Sequence, residues 1–168
     1  MVATTQNGSE KLSPPSTIGE WSLSQIIAAL SRPLPNSMLE TRSQGGKPIE
    51  YISWHTASKI LDKYAPGWTW AIMKIETTSD RIFIVGRLSI TCAEGLVYRE
   101  ATGTERLKDE KEIWIGEKPN RRPLRDEHDR PVTELKELAY GDPSSNAESM
   151  AFRRAAAKFG LGLYLYDR

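Results

Sequence analysis

One cysteine, Cys92, is all the thiol this chain has. A single sulfur excludes an internal disulfide and offers no cluster for zinc, so Cys92 reads as a small buried strand residue. Histidine is almost as scarce. His55 and His128 stand alone, with no Cys or second His at ligand spacing; the first reads as a helix-face residue beside Trp54, the second as a loop residue. No apolar run approaches the ~18 residues of a membrane helix. The opening stretch lacks the basic-then-apolar order of a signal peptide, so the expected compartment is the cell interior: cytoplasm, or nucleoid in a bacterium. Net charge is missing too, because 23 Lys and Arg face 22 Asp and Glu for a sum of +1. A polyanionic partner must therefore be argued from where the cations sit.

Catalytic signatures are also missing. There is no Gly-x-x-x-x-Gly-Lys-Ser/Thr loop for a nucleotide, no Gly-x-Ser-x-Gly and no acid–His–nucleophile set. Glu134-Leu135-Lys136, downstream of Asp109 and Asp129, is the one nuclease-like fragment. A metal-dependent nuclease needs two carboxylates on Mg²⁺ and a lysine near the attacked phosphate. The tripeptide is common by chance and lies among dense mixed charge. The expectation is no enzyme, no cofactor, no metal, no small-molecule substrate and no membrane partner, with the nuclease kept as an alternative.

At 168 residues the chain is one domain by length. Residues 1–18, rich in Thr, Ser, Asn, Gly and Pro, read as a flexible tail, and 19–168 as the domain. Ser22 with Gln25 forms a capping box before Leu23, Ile26, Ile27 and Leu30, a short helix ended by Pro33 and Pro35. Met38–Arg42 and Lys47–Ile52 flank Ser43-Gln44-Gly45-Gly46, which reads as a β-hairpin. Ser53 is placed to cap a second helix, with Trp54, Ala57, Leu61 and Tyr64 on one face. Trp70–Thr77, Arg81–Cys92 and Leu96–Leu107 are β-rich runs whose short separators fit antiparallel hairpins. In the middle run Ile82, Ile84, Gly86, Leu88, Ile90 and Cys92 fall on one face. From Glu105 to Glu137 dense mixed charge reads as an exposed loop or hairpin insertion, 116–138 above all, with Trp114 anchoring its base.

The last stretch organises the rest. Ser145 with Glu148 is a capping box, so a helix is expected from near Asn146 to a left-handed cap at Gly160, roughly 20 Å long. Ser149, Phe152, Ala156 and Phe159 make a core seam. Ala147, Ala151, Arg154 and Lys158 make a small-then-cationic stripe, and Arg153, Arg154 and Lys158 fan over one side. Such charges are ordinarily a solvated face; they are also what a helix lying close to a broad anion needs. The apolar Leu163-Tyr164-Leu165-Tyr166 reads as a final strand.

The run from Asp142 to Tyr166 resembles the end of the conserved domain in DdrA-type DNA-damage-response proteins, members of the single-strand-annealing superfamily that includes the eukaryotic Rad-type annealing mediator. The resemblance rests on Arg153-Arg154 ahead of Phe159-Gly160 and Leu161-Gly162. It extends to Pro35–Arg42, Gly45-Gly46-Lys47, Tyr51-Ile52 and Gly67-Trp68, and spans about 18–168. It implies an α+β fold: a β-β-β-α core, a twisted antiparallel sheet packed on a long helix, with short N-terminal helices and a β-hairpin. It further implies a homo-oligomeric ring holding single-stranded DNA in a basic groove between helix and hairpin.

Position by position, Arg153 and Arg154 match the helix's paired basic residues and Arg42 the hairpin's. Arg81 matches a basic residue of a second, outer DNA site. Lys47 and Tyr51 join the DNA-binding set from the hairpin, and Lys158 from the helix. The superfamily's third basic position falls on Ala157, with Lys158 about 100° further round the helix. The expected function is non-enzymatic binding, annealing and end protection of single strands in DNA repair; a purely structural ring is the other alternative.

Overall fold

The computed structural model describes residues 13–44, 46–137 and 141–166. Residues 1–12 of the expected tail, Gly45 of the hairpin turn, Leu138 at the end of the expected insertion and Arg168 lie outside the described residues. The fold is α+β, with antiparallel sheets and three α-helices among the described residues.

Helix α1 (Leu23–Leu30) starts as its sequence asks. The Ser22 hydroxyl accepts from the Gln25 amide at 3.3 Å, and the Gln25 side chain accepts from the Ser22 amide at 2.8 Å. Strands β1 (Glu40–Gln44) and β2 (Lys47–Tyr51) form the hairpin, which begins two residues late because Asn36–Met38 closes a 3₁₀ turn. Gly46 takes φ +78° in the turn. Helix α2 (Trp54–Tyr64) follows with Ser53 at its N-cap, but the Ser53 hydroxyl gives no cap bond. It lies 2.9 Å from Thr56 Oγ1 and 3.1 Å from His55 Nε2 instead.

Strands β3 (Thr69–Thr77), β4 (Arg81–Cys92) and β5 (Gly95–Arg106) make an antiparallel meander with β4 in the middle. The alternation read in β4 is what the sheet uses: Ile82, Ile84, Leu88, Ile90 and Cys92 are buried, and their neighbours are more open. Leu88 and Ile90 join Ile26, Leu30, Leu61 and Phe159 in the main core.

Helix α3 (Pro143–Ala157) crosses this sheet, and its start corrects the expected capping box. Asp142 is the cap, its Oδ1 accepting from the Ser145 amide at 3.0 Å, and Pro143 takes the first turn. An Asp-Pro pair supplies both an acceptor and a preset φ, so it outcompetes Ser145 three residues later. Glu148, freed from capping, accepts from Trp70 Nε1 at 2.9 Å. The other end is as read. Gly160 has φ +100°, with its amide on the Ala157 carbonyl and the Leu161 amide on that of Ala156.

Ala147, Ala151 and Ala155 are fully buried. They let the helix approach the sheet so closely that a Cβ at Gly103 of β5 would overlap the Ala147 carbonyl. The small residues thus face the sheet, and the three cations do not share one side as expected.

The C-terminal apolar run is a 3₁₀ helix, Leu163–Tyr166, not a strand. Gly160 and Gly162, both at positive φ, turn the chain back over the core, where Leu165 packs and Tyr164 Oη accepts from the Leu34 amide at 3.0 Å.

Beyond β5 the charged segment forms a two-ladder hairpin arm. Strand β6 (Lys108–Glu112) pairs with β9 (Thr133–Glu137), and β7 (Trp114–Ile115) with β8 (Arg122–Pro123). Trp114 is not at the arm's base. It lies exposed in the outer ladder, with the Arg121 guanidinium 5.7 Å from its ring centre.

Candidate functional site

Three of the anticipated residues meet although they come from three elements. Arg42 points from β1, Tyr51 from β2 and Arg153 from α3. The Arg42 guanidinium lies 5.5 Å from the Tyr51 ring centre and that of Arg153 lies 5.1 Å from it. One tyrosine therefore carries two cations, an arrangement that cation–π attraction favours. Arg153 is braced by its own helix, its Nε donating to the Ser149 carbonyl at 3.1 Å. Burial, then the nearby Arg42 charge, depress its pKa. Both effects oppose its charge, and the attraction of a bound anion would offset them.

Adjoining clefts of about 280 and 270 Å³ lie on the two sides of this cluster, sharing Arg42, Tyr51 and Arg153. Together they form a groove between α3 and the β1–β2 hairpin. Glu40, cross-strand from Tyr51, sits in the first cleft and accepts the Tyr51 hydroxyl at 2.7 Å. This bond, before any other influence, raises the tyrosine's pKa and lowers the carboxyl's, with Ser53, His55 and Arg153 helping to lower the latter. His55 Nε2 is 3.8 Å from the same carboxylate.

The remaining anticipated residues lie apart. Arg154 borders the second cleft, but its Nη1 donates to the Thr102 carbonyl at 2.9 Å. Lys158 Nζ donates to the Glu100 carbonyl at 2.6 Å. Both thus tie α3 to the outer edge of β5. Lys47 is exposed beside the hairpin turn. Arg81 is distant, opening β4 on the face away from Ile82, 3.7 Å from Asp80 and cross-strand from Arg106.

Sequence reasoning missed Glu40, Ser53, Trp54, Asn146 and Ser149, which also line the groove. Two signals were there to be read. Pairing about Gly45-Gly46 puts Glu40 opposite Tyr51, and Asn146, Ser149 and Arg153 recur at helical spacing.

Among the described residues no group of three or more His, Cys, Asp and Glu could hold a metal ion. In the nuclease-like fragment Lys136 pairs with Glu134 at 2.7 Å and Asp109 with Arg106 at 3.0 Å. No described helix is long and apolar enough to cross a membrane.

Comparison with known proteins bears on this arrangement. The chain is 30% identical over 146 residues to the DNA repair RAD52-like protein 1, mitochondrial, of Arabidopsis thaliana, covering 86% of this chain and 67% of that protein. The chain belongs to the RAD52-like family. A second RAD52-like relative from the same plant, DNA repair RAD52-like protein 2, chloroplastic, is 29% identical over 148 residues, or 86% of this chain and 60% of that protein. No family profile matches the chain. Membership of the RAD52-like family supports the annealing superfamily read from Arg153-Arg154 and the glycines after them.

Proposed function

We propose that this RAD52-like chain binds single-stranded DNA in the groove between α3 and the β1–β2 hairpin and anneals complementary strands during DNA repair, without catalysis. The observation that carries the reading is the pair of guanidinium groups, Arg42 and Arg153, gathered over the one Tyr51 ring. Guanidinium forks match phosphate oxygens, and the shared aromatic ring holds two such forks side by side in one groove. Phosphates gripped in the groove leave most bases outward, available to a complementary strand. The relatives' names, which specify DNA repair, point the same way.

In this reading the working form is a homo-oligomeric ring, and the resemblance of the Asp142–Tyr166 motif supports kinship with DdrA-type proteins. Self-association is supported by β3, which pairs with β4 alone among the described strands and exposes Ile72, Met73 and Ile75. Weak grooves repeated around a ring would add through multivalency.

Fluorescence anisotropy with a short single-stranded oligonucleotide tests the groove. Arg42→Ala and Arg153→Ala should each weaken binding and flatten the plot of log affinity against log salt by roughly 0.7 for each phosphate no longer neutralised. A double variant with unchanged affinity and slope would overturn the assignment. Light scattering should give several times 18.9 kDa; a monomer would remove the ring. Strand degradation that requires Mg²⁺ would favour the nuclease, and assembly without DNA affinity the structural ring.

A further inference from the structure

Beyond the arginine cluster, towards the start of α3, the groove is flanked by an aromatic hollow of about 300 Å³ that phosphate binding does not explain. Trp54, Trp68, Trp70 and Phe152 line it. The Phe152 ring meets Trp68 at 5.5 Å and Trp70 edge-on at 5.2 Å. Two of the indoles are fixed at their polar ends, Trp68 Nε1 donating to Asp62 at 2.7 Å and Trp70 Nε1 to Glu148 at 2.9 Å. Trp70 lies over Gly86, where any Cβ would overlap its six-membered ring. Trp54 differs. It rims the hollow with more than half its surface exposed, touching His55 edge-on.

We infer that this hollow is a binding site for one unstacked nucleobase, taken inward from the strand whose phosphates Arg42 and Arg153 hold. The inference rests on the proposed DNA groove. Three observations select a base as occupant. The walls are fixed aromatic faces, which single-strand binders use as sequence-tolerant platforms. The rim carries hydroxyls of Ser145 and Ser149 and the Glu148 carboxylate, polar groups suited to the edge of a flat heterocycle. The hollow also adjoins the cationic cleft, since Trp54 and Ser149 line both. Ser149 is one helical turn, about 6 Å, before Arg153, so hollow and phosphate grip are neighbours along one helix. One base turned inward would lock the strand's register while its neighbours stay outward for pairing.

The test compares, at equal length, an ordinary single strand with a fully abasic tetrahydrofuran strand, using anisotropy over a salt series. The wild-type protein should bind the base-bearing strand about tenfold more tightly or better, as stacking of a single base permits. Trp54→Ala should narrow that ratio several-fold with its salt slope and melting temperature unchanged, and Trp54→Phe should restore most of it. If Arg153→Ala weakens both strands while Trp54→Ala leaves the ratio intact, the base site is wrong and the groove stands. The base site is also wrong if Trp54→Phe binds no better than Trp54→Ala. If neither Arg153→Ala nor Trp54→Ala weakens either strand, both readings fall.

Discussion

Glu40 lies directly across the hairpin from Tyr51 and accepts its phenolic hydrogen at 2.7 Å, which puts a carboxylate into the same cleft as the Arg42 and Arg153 guanidinium groups. The pair orients the ring against which Arg42 and Arg153 rest. It also places a negative charge where a phosphate is proposed to pass. Glu40 therefore both organises the site and weakens its hold.

Those two roles separate on substitution. Glu40→Gln keeps an acceptor for Tyr51 but removes the charge, so single-strand affinity should rise several-fold at low salt. The gain should shrink as salt screens the groove. Anisotropy at two ionic strengths checks this; unchanged or weaker low-salt binding would place the phosphate path elsewhere.

Lys158 and Arg154 hold carbonyls of β5, so their loss should register as stability. Each Ala variant should melt about 2–4 °C lower, the shift expected for roughly 1 kcal/mol in a chain of this size. Lys158→Ala should leave DNA affinity and salt slope near wild type. Arg154→Ala, bordering the second cleft, should fall between Lys158→Ala and Arg153→Ala. A Lys158→Ala protein that melts normally but binds poorly would reverse the assignment.

Gly103 has no room for a methyl group, because the Ala147 carbonyl occupies its place. Gly103→Ala should destabilise by about 3 kcal/mol or more, the upper end of overpacking. The exposed neighbour change Thr102→Ala should stay within about 0.5 kcal/mol. Urea unfolding of both variants provides the comparison, and similar midpoints would contradict the close approach.

Asp142 makes the fold's acid sensitivity specific. The Ser145 amide, then the Ser144 hydroxyl, hold its carboxyl below the usual range. A depressed folded-state pKa means stabilisation that is present above the unfolded carboxyl's value and is lost as pH falls through the folded one. Asp142→Ala should therefore melt lower than wild type at neutral pH, with the gap closing in acid. A gap that stays constant with pH would assign the effect to something other than the charge.

What could be read in advance was local. The β4 alternation, the Ser22–Gln25 box and the Gly160 stop each depend on residues within one turn or one strand, so the sequence displays them whole. At the start of α3 two local signals compete, and Asp142-Pro143 prevails over Ser145-Glu148. Glu148 illustrates the deeper difficulty: its partner is Trp70, 78 residues away. Periodicity puts Arg153 and Arg154 about 100° apart. Which of them faces the hairpin depends on where the sheet lies, and the Gly103 contact decides that. The aromatic hollow is invisible in the sequence for the same reason, since its four rings come from α2, the β3 region and α3.

The contact at Gly103 also sets how stiffly one wall of the groove is built. With backbone resting on backbone, α3 and the β3–β4–β5 sheet have no compressible side-chain layer between them along this line. The β1–β2 hairpin is a separate two-stranded sheet. The proposed groove thus has one wall built on a close helix–sheet contact and the other on an independent two-stranded ladder: any widening that admits a strand is expected on the wall that carries Arg42 and Tyr51, with Arg153 as the fixed reference.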